Sequence, residues 1–261
     1  MVQDRERRFG GLERLFGAGS VERLAQSHVV VAGIGGVGSW CAEALARTGV
    51  GMITLVDMDH VSSSNINRQL PALSSTIGRS KIEVMGERIA EINPACKVRL
   101  VDDFVGVDNA EAFFSGDQQV VLDCTDEIAA KVALVLAARK HEDKQLFVCG
   151  AAGGKTDPLT LRAGDLSAAT HDALLGRLRQ QLRRAHGWPA GNAGRGRRAP
   201  KMGVQVFWFA QETILPPQWA QDDPLQGLSC SGYGSAMSLT ASMGLLAAQR
   251  AVDVLLTAKA S

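Results

Sequence analysis

The feature that most constrains the fold is the stretch VVVAGIGGVGSWCAEALA, residues 29–46, where a β-branched run leads through closely spaced glycines into a helical pattern. Val29–Ala32 predicts a buried strand, and Val37–Thr48 predicts a helix. The turn between them fits GxGxxG and contains Gly33, Gly35, Gly36 and Gly38. Glycines at such a turn let backbone N–H groups approach a phosphate at the positive end of the helix. The stretch therefore predicts a strand–turn–helix unit of a parallel sheet, with a nucleotide site at the turn.

The same alternation of strand and helix continues along the chain. Four further strands are predicted at Met52–Val56, Lys97–Val101, Val120–Asp123 and Leu146–Cys149. Helices are predicted at Gly78–Ile92 and Ala129–Arg139. We therefore predict an α/β fold with a Rossmann-like, doubly wound, mostly parallel sheet.

The rhythm changes after Gly150. The pattern there predicts strands at Leu159–Arg162 and Val204–Ala210 and helices at Thr170–Arg184 and Ser235–Ala258, without a regular strand–helix–strand order. We predict one domain over residues 1–261. Its nucleotide-binding part covers about residues 20–150, and its C-terminal extension, residues 151–261, adds strands, a basic segment and a final helix.

Composition narrows the class of protein. Hydrophobic residues make up 46% of the 261 residues, a globular level, and the net charge of +1 indicates no partner by itself. The five cysteines are Cys41, Cys96, Cys124, Cys149 and Cys230. They include no CxxC pair, so we expect no zinc site. Their odd number and the charged N-terminal stretch predict reduced thiols in a cytoplasmic protein.

The long uncharged stretch near the C-terminus, residues 224–249, is the one candidate for a membrane span. It is rich in serine and glycine, whereas a spanning helix needs about 20 mostly apolar residues. We therefore expect a buried or dimer-facing helix. The stretch is too long to leave exposed on a monomer, so we predict a homodimer.

An acidic residue follows the second predicted strand. Asp57 lies 19 residues after Gly38, where a carboxylate commonly holds a ribose hydroxyl pair. This spacing suits both a dinucleotide and ATP. The YxxxK pair of small NAD enzymes is excluded, because Tyr233 is the only tyrosine and Met237 stands four residues later.

Three charged residues favour ATP. Arg68 ends the polar stretch NINR, Lys81 ends GRSK, and Asp126 lies in DCTDE just past the fourth predicted strand. Arginine offers a planar fork and lysine a point charge to the phosphate of an adenylation transition state. A carboxylate such as that of Asp126 can hold Mg²⁺ against the phosphates. This set suits transfer of AMP to a carboxylate.

Several motifs together resemble the ubiquitin-activating-enzyme superfamily, the ThiF and MoeB type. The motifs are GIGGVGS, DMDHV, NINRQ, GRSK and DCTD. Within it, RFGGLERLFG, EVMGERIAEINP and VDDF resemble the tRNA threonylcarbamoyladenosine dehydratase branch. The resemblance implies a ThiF-type adenylation domain. It also implies ATP-dependent dehydration of threonylcarbamoyladenosine in tRNA, a cyclisation that proceeds through adenylation of its carboxylate.

The resemblance also implies roles for individual residues. Nucleotide contacts are implied at Gly33, Gly35, Gly36, Gly38, Asp57, Asp59, Asn65, Arg68, Gln69 and Lys81. Catalytic roles are implied for Arg68, Lys81 and Asp126, with Asp126 also holding Mg²⁺. In the superfamily an N-terminal arginine can cross a homodimer into the neighbouring ATP site, and Arg8 and Arg14 are the candidates here. A cysteine desulfurase or sulfur-acceptor protein is implied as a further partner.

Two other functions stay open at the level of sequence. One is an adenylating activator of a small sulfur-carrier protein, and the other is a non-catalytic ATP-binding partner of a cysteine desulfurase. ThiF and MoeB types usually have two CxxC pairs, which this chain lacks, and they have asparagine where this chain has Glu127. Both differences count against the sulfur-carrier function. Cys230, in GLSCSGYGS, is a candidate acyl-accepting thiol, although ring closure by the carbamoyl nitrogen of the substrate needs no thiol.

A basic segment lies in the C-terminal half. Residues 173–211 contain eight cations and no Asp or Glu, so the rest of the chain has a charge of about −7 against the total of +1. Such a segment is an electrostatic footprint for a polyanion. The tRNA-binding candidates are Arg183, Arg184, Arg195, Arg197, Arg198 and Lys201.

Overall fold

The computed structural model describes residues 2–189, 199–215 and 233–257. Two helices, α1 (Val2–Phe16) and α2 (Ser20–Ala25), precede the first strand. The sequence pattern did not predict them, because α1 contains two adjacent glycines that lower helix propensity. Tertiary contact stabilises α1 instead: Phe9 is 5% exposed, and its ring packs over Gly49.

One seven-stranded sheet runs through the described residues in the order β3-β2-β1-β4-β5-β7-β6. Its strands are β1 (His28–Ala32), β2 (Met52–Val56), β3 (Lys97–Val101), β4 (Val120–Asp123), β5 (Gln145–Cys149), β6 (Leu161–Asp165) and β7 (Gln205–Phe209). All neighbours pair in parallel except β6, which is antiparallel to β7. The predicted doubly wound, mostly parallel sheet with added C-terminal strands is confirmed.

Helices cover both faces of the sheet. They are α3 (Gly38–Arg47), α4 (Lys81–Ile92), α5 (Ile128–Ala138), α6 (Ala173–Ala185) and α7 (Met237–Thr257). Side chains of α3, α4 and α7 share one core cluster, whereas α5 and α6 pack on the opposite face. Successive residues of β1 point to opposite faces, so Val29 belongs to the first cluster and Val30 to the second face.

The uncharged C-terminal stretch ends in α7, which is long and apolar enough to cross a membrane by length and composition alone. In the structure one face of this helix packs against the rest of the protein. Leu239, Met243 and Ala247 are almost completely buried, and Gly244 lies so close to α3 that a Cβ there would come 2.5 Å from the Val37 carbonyl oxygen. The prediction of a buried or dimer-facing helix is therefore confirmed for the buried face of α7, whereas a dimer contact on its exposed face, which includes Leu245 at 48% exposure, stays a prediction.

Several element boundaries differ from the sequence-based prediction by one to three residues, and turn residues explain two of these shifts. Helix α4 begins at Lys81 instead of Gly78, because Gly78 has φ +86° and belongs to the preceding turn. Strand β6 begins at Leu161 instead of Leu159, because Pro158–Thr160 forms a short 3-10 turn capped by Asp157. Both shifts place turn residues where the pattern alone suggested regular structure.

Candidate active site

A cavity of about 440 Å³ opens at the carboxyl ends of β1, β2, β4 and β5. The order of the sheet reverses between β1 and β4, which is the usual ligand position in open α/β sheets. The cavity is lined by nine of the ten residues that the resemblance implies for nucleotide contact, and by Asp126. The nine are Gly33, Gly35, Gly36, Asp57, Asp59, Asn65, Arg68, Gln69 and Lys81. A larger, shallow cavity of about 890 Å³ between α1, α3 and α4 contains no part of the glycine turn.

The glycine turn requires its glycines for different reasons. Gly33 has φ +85°, and a Cβ there would lie 2.9 Å from the backbone of Cys124. A Cβ on Gly36 would lie 2.9 Å from the Thr240 methyl group, at the cavity wall. A Cβ on Gly38 would lie only 1.8 Å from the Gly33 carbonyl oxygen. Gly38 is absent from the cavity lining, so in this structure it serves close packing of the turn on α3.

Asp57 stands at the end of β2 and braces the glycine turn. Its Oδ2 accepts a hydrogen bond from the Ile34 backbone N–H at 2.6 Å, and its Oδ1 accepts one from the Asp59 N–H at 2.8 Å. Burial raises the pKa of Asp57, while the nearby Lys81 ammonium lowers it. Each carboxylate oxygen keeps a second lone pair for a hydroxyl group.

Lys81 is the first residue of α4 and is only 5% exposed. Its Nζ donates to Asp59 Oδ2 at 2.7 Å, and its backbone N–H donates to the Asp59 carbonyl oxygen. The side chain of Asp59 is 57% exposed. A buried ammonium held by one solvated carboxylate is a fixed positive charge at the cavity wall, available to an anion.

Arg68 is held by its backbone. Its carbonyl oxygen accepts hydrogen bonds from Trp40 Nε1 at 3.2 Å and Thr240 Oγ1 at 3.3 Å. Its guanidinium donates to the Ser64 carbonyl oxygen and to Asn67 Oδ1. The charge lies at the cavity, and these two neutral acceptors can be exchanged for phosphate oxygens, since charge-assisted bonds are stronger.

Asn65 and Gln69, which lie near Arg68 in the cavity lining, differ in whether their amide oxygens have hydrogen-bond partners among the described residues. Asn65 Oδ1 accepts the Ser62 N–H, so this side chain stabilises its own 3-10 turn, residues 63–65. Gln69 is 8% exposed, and its buried Oε1 has no hydrogen-bond partner among the described residues. A buried polar atom without a partner is costly, so Gln69 fits a site that a polar ligand completes.

Asp126 lies on the loop between β4 and α5, exposed toward the cavity. The loop is braced by Thr125, whose backbone N–H and hydroxyl both donate to Asp123 Oδ1. The carboxylate of Asp123 is also paired with the fully buried Lys131, at 3.1 Å. Asp126 is thus a free carboxylate on a well-anchored loop.

The structure does not bring the N-terminal arginines to this cavity. Arg8 donates to the carbonyl oxygens of Glu91 and Ile92 at the end of α4 and to Asp4 in its own helix. Arg14 is exposed on α1. A role for either across a dimer stays a prediction.

The described cations of the basic segment are exposed or half-buried. Arg184 and Lys201 are exposed, whereas the Arg183 guanidinium donates to the Pro189 carbonyl oxygen. Arg179 donates to two backbone carbonyls and is structural; burial lowers its pKa. The other candidates, Arg195, Arg197 and Arg198, and the candidate thiol Cys230 lie outside the described residues.

Sequence reasoning missed two contributors to the cavity. Thr240 comes from α7, more than 200 residues after the glycine turn, and no local pattern marks it. Phe104 is 60% exposed at the cavity rim. Its loop is braced by Asn109, whose amide donates to Asp103 and to the Phe104 carbonyl oxygen. The motif VDDF was a signal for Phe104, but it indicated no role.

The glycine turn, the acid at the end of the neighbouring strand and the two cations on one cavity define an α/β nucleotide-binding protein suited to adenylation. Residues 10–261 match the ThiF family, and the chain belongs to that family.

Two relatives that are tRNA threonylcarbamoyladenosine dehydratases are similar to this chain over nearly its whole length. The chain is 39% identical to a tRNA threonylcarbamoyladenosine dehydratase of Haemophilus influenzae, over 99% of this chain and 97% of that protein. It is similar to the solved structure of the Escherichia coli tRNA N6-threonylcarbamoyladenosine dehydratase TcdA in complex with ATP, with a TM-score of 0.84, 38% identity and 96% and 94% of the two chains covered. The molybdopterin-synthase adenylyltransferase of Escherichia coli is 36% identical, but over only 49% of this chain.

Proposed function

We propose that this protein is an ATP-dependent tRNA threonylcarbamoyladenosine dehydratase, which cyclises the modified base after adenylating its carboxylate. The convergence of the glycine turn, Asp57, Arg68, Lys81 and Asp126 on one cavity is the observation that carries this proposal. Near full-length similarity to enzymes of that activity supports the substrate.

The reaction needs two steps because a carboxylate is a poor electrophile. First, a carboxylate oxygen of the threonyl group attacks the α-phosphorus of ATP, and pyrophosphate leaves. A nitrogen of the carbamoyl group that carries this threonyl group then attacks the activated carbonyl carbon. The nitrogen loses a proton, and AMP leaves. Intramolecular ring closure has a large proximity advantage, so the second step requires no thiol from the protein.

The residues of this chain account for placing ATP. The Ile34 N–H is taken by Asp57, so the other N–H groups of the turn and those at the start of α3 would face the phosphates, while the free lone pairs of Asp57 would accept the ribose hydroxyls. Arg68 and Lys81 offset the charge that builds on the α-phosphate during attack. Gln69 offers its unpartnered oxygen to a donor in the bound state.

Magnesium fits the same site. The described residues contain no group of three or more His, Cys, Asp or Glu side chains able to hold a metal by themselves. Mg²⁺ in nucleotide sites commonly takes one or two carboxylates, water and phosphate oxygens, and the free carboxylate of Asp126 meets that need. The ion would neutralise the departing pyrophosphate.

The tRNA is proposed to bind the basic segment. Exposed Arg184 and Lys201 support this placement, as does the basic sequence of residues 195–198. Replacing Arg195, Arg197 and Arg198 together with alanine should weaken tRNA binding and flatten its salt dependence by about 0.7–0.9 slope units for each phosphate that the variant no longer neutralises. ATP affinity should not change. A wild-type salt slope in the triple variant would contradict this placement.

A homodimer and a sulfur-transfer partner are further parts of the proposal. Light scattering at micromolar concentration should give twice the chain mass, and a monomeric mass would contradict the dimer. Because the cyclisation uses no sulfur, the purified protein should act without a desulfurase.

Mass spectrometry of nucleosides from tRNA incubated with the protein, ATP and Mg²⁺ tests the function directly. We expect threonylcarbamoyladenosine to lose the mass of one water molecule, with AMP released in equal amount. Reactions without ATP are the control. If tRNA is unchanged while the protein adenylates the C-terminus of a small sulfur-carrier protein, the proposed function is wrong.

A further inference from the structure

Three cysteines meet directly beneath the nucleotide cavity. The Cys124 sulfur lies 3.7 Å from the Cys41 sulfur and 3.8 Å from the Cys149 sulfur. Cys41 comes from α3, Cys124 follows β4 and Cys149 ends β5. All three are free thiols, and the proposed reaction uses none of them.

Only one of the three can be reached from solvent. Cys41 and Cys149 are buried, whereas Cys124 is partly exposed and lines the cavity together with the glycine turn. A small polar molecule that enters the cavity therefore meets Cys124 first, with another sulfur in contact behind it.

We propose that Cys124 is an oxidation site that forms a disulfide with Cys149 when a small peroxide enters the empty nucleotide cavity. The sulfur of Cys124 attacks one peroxide oxygen and becomes a sulfenic acid, releasing water. The sulfur of Cys149 then attacks the Cys124 sulfur, releasing a second water. Two thiols and one hydrogen peroxide thus give one disulfide and two waters.

The backbone geometry selects Cys149 as the partner. Asp123 and Val148 are paired across parallel β4 and β5, and Cys124 and Cys149 are the next residues of those strands. Neighbouring strands lie about 4.8 Å apart, within the range of about 4.4–6.8 Å for Cα atoms joined by a disulfide.

The same two strand ends are already tied together. Lys131 Nζ donates to Asp123 Oδ1 and to the Cys149 carbonyl oxygen. Cys41 is held differently, because its Sγ donates to the Gly244 carbonyl oxygen of α7, where α3 and α7 pack closely. The third sulfur therefore stays a thiol.

The disulfide would disturb nucleotide binding through the glycine turn. The Cys124 carbonyl group lies against Gly33, where a Cβ would come within 2.9 Å, and its Cβ lies 3.1 Å from the position of a Cβ on Gly38. Sulfur atoms must move from 3.8 Å to bonding distance. Cys124 lines the same cavity as the glycine turn, and a sulfur drawn toward Cys149 changes that shared wall, so oxidation should lower ATP affinity.

Oxidation is expected to be slow. The hydrogen bond from Cys124 to Cys149 lowers the pKa of the attacking Cys124 thiol, but the hydrogen bond with Cys41 and burial together raise that pKa well above its ordinary value. Little thiolate is present at neutral pH, and thiolate is the reactive form. We therefore expect the disulfide to form only during sustained exposure to peroxide.

The test combines peptide mapping with nucleotide binding on the full chain. We treat the protein with hydrogen peroxide, with and without saturating ATP, and identify linked peptides by mass spectrometry without reduction. We expect one linkage, Cys124 to Cys149, formed at least fivefold more slowly with ATP present. Calorimetry should show at least a tenfold loss of ATP affinity, reversed by dithiothreitol.

Two variants separate the cluster from other thiols. Cys149→Ala should form no such linkage, and its Cys124 should stop at the sulfenic acid, seen as the added mass of one oxygen atom on the Cys124 peptide. Cys96→Ala, which removes a half-buried thiol outside the cluster, should oxidise like the wild type. A linkage of Cys124 to Cys41 or Cys230 in the wild type, or an oxidised protein with unchanged ATP affinity, overturns the proposal.

The two proposals fail in different ways. If the reduced protein binds no ATP, the proposed function is wrong, whereas the disulfide is still decided by peptide mapping. If ATP binds but does not slow oxidation, Cys124 is reached by a route other than the cavity, and the proposed oxidation site is wrong.

Discussion

Replacing Lys81 with methionine is the sharpest test of the active site. Methionine keeps an unbranched apolar stem at a position that is 5% exposed, so the packing at the start of α4 is preserved. The side chain of Asp59 is 57% exposed, so its carboxylate can be solvated by water when the ammonium is removed. The fold should therefore survive, and the main change is the removal of one fixed positive charge from the cavity.

The size of the effect follows from that charge. A preorganised group that stabilises transition-state charge contributes about 3 kcal/mol. At about 1.4 kcal/mol for each factor of ten, Lys81→Met should lower kcat for tRNA dehydration about 100-fold or more. ATP affinity should fall less, because Arg68 and the turn N–H groups remain.

The matched control is another lysine–carboxylate pair far from the cavity. Lys140 Nζ lies 2.6 Å from Glu111, with both side chains well exposed. Such surface pairs contribute about 0–1 kcal/mol to stability, so Lys140→Met should keep kcat within about twofold. Single-turnover assays with wild-type, Lys81→Met and Lys140→Met proteins, with melting curves, measure both effects. If Lys81→Met stays folded and keeps kcat within threefold of the wild type, the phosphates are not where the structure puts them.

Nucleotide binding and acid stability provide three further predictions. Gly36→Ala should weaken ATP binding at least tenfold, because its methyl group meets Thr240 at 2.9 Å, and Thr240→Ser in the same chain should recover most of the affinity in calorimetry. ATP with Mg²⁺ should bind and NAD should not; calorimetry showing the reverse would exclude adenylation. The hydrogen bond from His28 lowers the pKa of Asp117. The ionised Asp117 therefore stabilises the folded protein above the ordinary aspartate pKa, and this stabilisation is lost as the pH falls through the lowered pKa. Asp117→Asn should flatten denaturant-measured stability in that acidic range, and an unchanged acid profile would refute the link.

The sequence determined the architecture because its signals are local. A β-branched run, a glycine turn and a helical pattern follow each other within about twenty residues, and backbone sterics decide each of them. The spacing from Gly38 to Asp57 also held, since one helix and one strand of ordinary length separate them. Lys81 was placed at a helix start for the same reason.

Local signals failed where stability comes from distant contacts. Helices α1 and α2 have weak patterns, and they are stabilised by packing of residues such as Phe9 and Leu24. The pattern predicted a nucleotide contact at Gly38, and the structure shows in addition a close approach of two backbone segments there. GxGxxG cannot separate these roles, because both require the absence of a Cβ.

Only the tertiary structure decided which residues outside the sequence motifs join those motifs at the cavity. Thr240 meets Gly36 there, and Cys41, Cys124 and Cys149 meet just below it, although a helix and two strands far apart in sequence supply those sulfurs. The pairing of Lys81 with Asp59 likewise appears only when β2 and α4 are packed. Sequence spacing describes neighbours along one element, whereas these contacts depend on how sheet order and helix packing bring separate elements within a few ångströms.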